Sequence, residues 1–309
     1  MKPRNILILG GSGNIGKHII SSLNDDNIFI LDKVLPKKNN LNNLKYIKCD
    51  LLKNKSLKKI PKKIDVVLFL IGHVGGPESL DIKNLEKYLD YNCETLNNFF
   101  KLTKNKKIKK LIFISTEHVY GDNAKKTSKT KTIEPNPKNY YGVSKLFSEK
   151  ILYKFYKENS ICIDILRIPR VVFDKIDNPI SSMLINAIEK KRVILNNTKA
   201  KFNFIYFEDL IRSLMICFNQ KKTGFRILNI FNNSKPISLY LIAKLIKNKI
   251  NNNFKIIFLK KKYNNEHNPL NLIVSNKETK KILKWKPLFD NNKIVTKLIK
   301  IYEIKKNFK

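Results

Sequence analysis

Arginine is scarce in this 309-residue chain. Only six of its 62 basic residues are arginine (Arg4, Arg167, Arg170, Arg192, Arg212 and Arg226), set against 25 acidic residues and a net charge of +37. A nucleic-acid surface exploits the planar, bidentate guanidinium as well as lysine. Here the lysines are scattered along the whole chain among Asn and Ile residues. The charge therefore reads as a lysine-coated solvent face that still draws in an anionic small molecule such as a nucleotide, and no nucleic-acid partner is expected. Cysteine is sparse too: Cys49, Cys93, Cys162 and Cys217 form no close pair and no metal-ligand spacing. That argues against a disulfide framework or a metal site and for buried thiols in a reducing cytoplasm. No apolar run approaches the roughly 18 residues of a spanning helix. The apolar start of MKPRNILILGG is interrupted by GGSGNIG before any small-residue cleavage site. The chain is expected to be cytoplasmic and unprocessed, without membrane insertion.

What is present is a hydrophobic content of 42% and an aromatic content of 10%, enough to bury the core of one large or two modest domains. The first half alternates short β-branched runs (5–9, 28–32, 46–49, 66–71, 111–115 and 161–167) with helical stretches, notably 13–23, 85–104 and 140–156. That is the pattern of a parallel sheet built from βαβ units. Residues 122–139 are polar with two prolines, a loop that stops at a helix start. After about residue 170 the pattern changes: a helical piece at 180–190, the run FNFIYFEDL, a strand at 225–230, a helix near 239–249 and a Lys/Asn-rich tail. This predicts a smaller second lobe capping the carboxyl edge of the sheet. The Asn and Lys clusters at 37–43 and 251–265 are expected to be surface loops.

Three local patterns carry chemistry. In NILILGGSGNIGKHII, Gly10, Gly13 and Gly16 lie between a strand and an amphipathic helix. Gly10 permits a tight turn, Gly13 lets backbone approach a pyrophosphate, and Gly16 lets the helix sit close on the sheet. Asp32 closes the next strand, where a carboxylate accepts hydrogen bonds from a ribose diol and disfavours a 2′-phosphate. Lys33, Lys37 and Lys38 stand close by. Asp50, ending the third strand, is either an adenine contact or a turn residue. The second pattern is Tyr141-Gly-Val-Ser-Lys145, whose spacing puts a phenol and an ammonium on one helical face. A phenol with an ordinary pKa of about 10 is a poor base, and a nearby cation is expected to favour the phenolate. The third is KKLIFISTEHVYG, a buried strand ending at Ser115 and Thr116. It places a hydroxyl at the carboxyl edge of the sheet, to hydrogen-bond the substrate oxygen whose proton Tyr141 removes. The three occur in the order one hydride-transfer site requires.

On these residues the sequence resembles the extended short-chain dehydrogenase/reductase family, in its NAD-dependent epimerase/dehydratase branch acting on nucleotide sugars. GGSGNIG matches the family's GxxGxxG, STEHVYG its strand-end Ser/Thr followed by VYG, and YGVSK its YxxxK. Thr116, Tyr141 and Lys145 fall on the catalytic positions. Later, LRIPRVVF parallels LRxxNVYG, FNFIYFEDL parallels RDFIxVxDL, and ILKWKP parallels LGWxP. The resemblance implies an α/β fold in two parts. One is a doubly wound Rossmann sheet binding NAD rather than NADP over residues 1–168, with returning segments near 203–231. The other is a smaller C-terminal α/β substrate lobe from 169–202 and 232–309. It implies a homodimer and a nucleotide-sugar substrate. It also extends the cofactor contacts to Asn14, Ile15, Leu51 and Asn92, the last a structural asparagine at a helix start, and the substrate contacts to Ser79 and Arg170.

The departures lie in the substrate half. Arg170 replaces the asparagine of NVYG, and Val172-Phe173 replaces Tyr-Gly. Phe202 stands where a diphosphate-binding arginine is common, beside Lys199 and Lys201. NNEHN at 264–268 lacks the Arg and Asp that often hold diphosphate and ribose, and His73 comes one turn late for the family's HxAA. Similar dehydratases carry Asp-Glu after the threonine, whereas this chain has Glu117-His118. Glu117 is one candidate acid/base; His118 is either the other or a locally bonded loop imidazole. The reading is an epimerase working through a keto-sugar, with a dehydratase or ketosugar reductase as the alternative and a non-catalytic NAD-binding regulator behind both.

Overall fold

In the computed structural model, which describes residues 2–35, 43–53, 57, 59–122, 134–175, 178–195, 200–221, 224–250, 253–259 and 271–307, the strand Asn5–Leu9 is buried almost from end to end. Its side chains alternate across the sheet as the pleat requires. Ile6 and Ile8 enter one apolar layer with Ile28, Ile30, Leu68 and Leu166. Leu7 and Leu9 enter the opposite layer with Leu31, Phe69, Phe113 and Ile165. A sheet buried on both faces calls for parallel strands joined by crossover helices. Seven strands do align in parallel, in the order Phe225–Asn229, Cys162–Ile168, Lys110–Thr116, Val66–Phe69, Asn5–Leu9, Asn27–Asp32, Leu44–Lys48. Chain order runs outward from Asn5–Leu9 to one edge and then resumes on its other side. A crevice therefore opens beyond the carboxyl ends of Asn5–Leu9 and Val66–Phe69, the switch point at which doubly wound sheets bind ligands. The α/β doubly wound fold expected from the sequence is the fold observed.

Helices Asn14–Ile20, Phe207–Asn219 and Lys277–Leu283 cover the first layer through Ile19, Leu210, Leu214 and Leu283. Thr95–Leu102 and Tyr140–Glu158 cover the second through Leu96, Phe99 and Leu152. A separate apolar cluster joins Val172, Leu184, Phe204, Ile242, Phe254 and Leu298. FNFIYFEDL divides: Phe204–Tyr206 pairs in parallel with Arg170–Val172, and a helix begins at Phe207. Asp209 in that helix is buried and accepts from the Leu288 amide at 2.8 Å and the Phe289 amide at 2.9 Å, tying down the C-terminal segment.

Two expectations need correction. The cluster at 251–265 contains the strand Lys255–Phe258, paired with Arg192–Leu195. The Lys/Asn-rich tail contains the helices Lys277–Leu283 and Asn291–Asn307. Lysine and asparagine obscured short apolar patterns there: Ile294, Val295, Leu298 and Ile299 recur at helical spacing and are buried, and Trp285 packs into the first layer. Positions 37–42 and 264–268 lie outside the described residues, as do Lys199 and most of the 122–139 loop. The four cysteines are free thiols, Cys162 half-buried and the others buried. Among the described residues no helix is long and apolar enough to cross a membrane.

Candidate active site

The first strand runs into Gly10, whose φ of 77° favours glycine and where a side chain would meet the Ile71 amide nitrogen at 3.0 Å. A methyl group at Gly16 would collide with the Gly11 backbone, which is how the helix Asn14–Ile20 comes to sit against the turn. Gly13 is more open, with the Gly10 carbonyl oxygen 3.3 Å from a Cβ placed there. Asp32 clasps this turn: its carboxylate accepts from the Ser12 amide at 3.0 Å and the Val34 amide at 3.2 Å. The Lys33 ammonium swings to Tyr91, 4.7 Å from the ring centroid, and so is engaged with an aromatic face beside Asp32.

A cleft of about 490 Å³ starts at Gly10, Gly13, Asn14, Ile15 and Gly16 and passes Gly72–Gly75 and Asn92. It ends among Thr116, Glu117, His118, Tyr141, Lys145 and Arg170. This volume suits a small-molecule site, and a glycine turn at one end of it fits the pyrophosphate of a dinucleotide. Four expected contacts are absent from its described lining: Asp32, Asp50, Leu51 and Ser79. Asp50 caps its own turn, accepting from the Leu52 amide at 3.0 Å. Leu51 packs in the core, and Ser79 is buried and donates to the Gly76 carbonyl at 2.5 Å. Among the described residues no cluster of His, Cys, Asp or Glu is arranged to hold a metal ion.

Thr116 ends a strand and Tyr141 opens the helix Tyr140–Glu158. Asn139 caps that helix, its Oδ1 accepting from the Gly142 amide at 2.6 Å. The Tyr141 phenol and the Thr116 hydroxyl line the same end of the cleft. The phenol ring is pinned between Gly75, where a side chain would meet its Cδ1 at 2.5 Å, and His118, whose ring lies edge-on at 5.2 Å between centroids. Burial pushes the phenol up to about 12 against the pull of the Thr116 hydroxyl, with Tyr88 and Glu117 adding to the rise. Lys145, one turn along, lies with Nζ 4.0 Å from the Phe113 ring centroid. Burial pushes it down to about 8 even though the Glu149 carboxylate favours its charge. Burial is the largest influence on both groups, and the ammonium faces an aromatic ring.

Glu117 is buried, and its Oε2 accepts from Asn203 Nδ2 at 3.0 Å. Burial pushes its carboxyl up to about 7, opposed by that hydrogen bond and by the Arg170 guanidinium. Arg170 itself lies over Phe202, 5.4 Å from the ring centroid, in the position where the sequence had Phe beside it in place of arginine. Asn203, which holds Glu117, went unnoticed in the sequence; its only signal was one polar residue inside the apolar run FNFIYF. Asn139 went unnoticed as well, although an Asn immediately before a helix is a capping signal.

Asn92 differs from its expected place. It sits within a helical run, in the π-turn Asp90–Glu94, rather than at a helix start. Its amide accepts from the His73 N–H at 2.8 Å and donates to Ser144 Oγ at 2.8 Å. Ser148 Oγ donates to the Asn92 carbonyl at 2.8 Å, satisfying a backbone group of the widened turn. Asn92 therefore ties the loop that carries His73 and Gly75 to the helix that carries Tyr141 and Lys145.

The chain is similar to several known proteins. The chain is 28% identical over 274 residues to the dTDP-D-glucose 4,6-dehydratase of Dictyostelium discoideum, an alignment covering 79% of this chain but only 62% of that protein. The UDP-N-acetylglucosamine 4-epimerase of Methanobrevibacter ruminantium M1 superposes with a TM-score of 0.82 at 22% identity, over 99% of this chain and 100% of that one. The UDP-glucuronic acid 4-epimerase of Bacillus cereus, solved with UDP-glucuronic acid and NAD, gives 0.80 at 21% over 97% and 99%. At such identities the two structures establish the fold. The family model "NAD dependent epimerase/dehydratase family" matches residues 6–230, more than half of the chain. The chain belongs to the NAD-dependent epimerase/dehydratase family.

Proposed function

We propose that this protein is an NAD-dependent nucleotide-sugar epimerase acting through a transient keto-sugar. The observation that carries the reading is that Thr116, Tyr141 and Lys145 line one cleft together with the Gly10–Gly16 turn. Gly13 and the start of the helix Asn14–Ile20 would hold the pyrophosphate, Asp32 the adenosine ribose, and Lys145 a hydroxyl of the second ribose. The chemistry that bound NAD supplies is reversible hydride acceptance beside a positively charged ring, which favours a phenolate. Thr116 orients the sugar hydroxyl, and Tyr141 removes its proton and returns it once the carbon has inverted. Arg170 stands at the far end of the cleft as the cation for an anionic part of the substrate, diphosphate or carboxylate.

Two of the similar proteins named above are 4-epimerases, which supports inversion over elimination. A dehydratase is the second reading, supported by the similarity to the Dictyostelium discoideum dehydratase and by the Glu117 carboxyl, which burial pushes up to about 7 and which stands ready beside Tyr141 as an acid. The chain is proposed to divide into a cofactor lobe (1–168 with 203–231) and a substrate lobe (169–202 with 232–309). It is also proposed to pair as a homodimer through exposed Val143 and Phe147 on the helix Tyr140–Glu158, and to work in the cytoplasm. Incubating the purified protein with NAD and a panel of UDP-, dTDP-, GDP- and CDP-sugars tests the activity. An isomer of unchanged mass is the expected product, and loss of water would establish the second reading instead.

A further inference from the structure

We infer that His118 is a fixed hydrogen-bond donor to the sugar, locked by Asn139 in its neutral Nε2–H form, and that it carries no proton in the reaction. The inference rests on the reading of the cleft as a sugar site. It starts from the helix cap. The Gly142 backbone N–H can only donate, so the Asn139 atom 2.6 Å from it is the amide oxygen. The other end of that amide is then the NH₂ group, and it lies 2.8 Å from His118 Nδ1. An NH₂ group also only donates, so Nδ1 must accept with its lone pair, and a neutral imidazole that accepts at Nδ1 carries its proton on Nε2. Protonating Nδ1 would set two N–H groups against each other beside a buried Asn139.

This geometry decides what the ring can do. A general base needs a lone pair, and Nε2 has none in this form; a general acid needs an imidazolium, which the Asn139 amine opposes. The ring lines the cleft edge-on to Tyr141 and can donate to a hydroxyl or keto oxygen. Among the described residues, the other titratable or charged groups on the cleft wall are Glu117 on the same turn, Tyr141 and Lys145 on the capped helix, Arg170 on its strand and His73 on its loop. The Lys138–Asp122 pair adjoins the cap, at 2.7 Å. Of the two residues following Thr116, then, only Glu117 is left to move a proton, so a chemistry that needs both positions as proton carriers is disfavoured here.

The test is long-range proton–nitrogen NMR on the full chain labelled with 15N-histidine, with His118→Gln identifying the resonances. The expected spectrum has His118 unprotonated at Nδ1 and protonated at Nε2, unchanged from about pH 5.5 to about 8.5, with the Nε2–H resonance moving when a sugar nucleotide binds. A proton on Nδ1, a titration midpoint inside that range, or an Nε2–H resonance indifferent to a sugar nucleotide that the protein turns over would each overturn the inference. Asn139→Asp keeps the capping oxygen and replaces the donating amine with an acceptor. It should move the proton to Nδ1 and make the ring titrate, and an unchanged Nδ1 there would remove Asn139 from the account. Should that variant not fold, the wild-type spectrum still decides. Reading the tautomer needs no turnover, so an inactive protein with a locked ring would defeat the proposed activity and the donation to a sugar, and not the tautomer.

Discussion

The two ends of the cleft are made of different material. At the cofactor end the walls are backbone, with Gly10 in a left-handed conformation and Gly16 against the Gly11 carbonyl. At the substrate end the walls are side chains from separate elements, each set by a distant partner: Glu117 by Asn203, His118 by Asn139, Lys145 by Phe113. A backbone wall fails when an atom is added. A side-chain wall fails when one partner is removed, and it fails selectively, because each partner controls a charge or a proton.

Substitutions at the two ends should therefore separate binding from chemistry. Tyr141→Phe is expected to lower kcat by at least about 10²- to 10⁴-fold while NAD affinity, read by fluorescence titration, stays within a few-fold of wild type. Loss of NAD binding in step with turnover would erase the distinction between the ends. Gly16→Ala should do the reverse, weakening NAD binding and destabilising the fold by about 1–3 kcal/mol in a denaturant titration. Arg170→Met should raise KM for the sugar nucleotide roughly 10- to 100-fold, the cost of one charge-assisted hydrogen bond. An altered NAD affinity with normal KM would move Arg170 to the cofactor end.

The smallest effect is one of pH. Burial raises the Glu117 carboxyl from 4.5 to about 7, so the folded protein holds this proton more tightly than the unfolded chain. Its contribution to stability is complete below about 4.5 and is lost as pH rises through about 7. Glu117→Gln should flatten that slope in melting temperatures measured across the range. A slope unchanged by the substitution would assign it to other groups.

The same contrast explains what could be read from the sequence. Gly10, Gly13 and Gly16 act through spacing and backbone conformation, which a sequence displays directly, and the alternation of short β-branched runs with helical stretches pointed to the parallel sheet. Thr116, Tyr141 and Lys145 were legible because a strand end and a helical repeat carry them to one edge. The orientation of Lys145 toward Phe113 was not, since it depends on a ring 32 positions earlier in the chain. Nor was the hold of Asn203 on Glu117, a contact between residues 86 apart. Asn92 was placed at a helix start by the resemblance, and the π-turn around it leaves no mark in composition; the C-terminal helices were hidden by lysine and asparagine around a short apolar stripe.

The central claim is that Tyr141 serves a hydride that leaves a sugar carbon and returns to it. The direct measurement uses sugar nucleotides carrying deuterium at each ring carbon in turn, incubated with the protein and NAD and analysed by mass spectrometry and NMR. The account predicts a product inverted at one carbon that keeps its deuterium at that carbon and its mass. Deuterium washed out to solvent, or a product lighter by water, would contradict it.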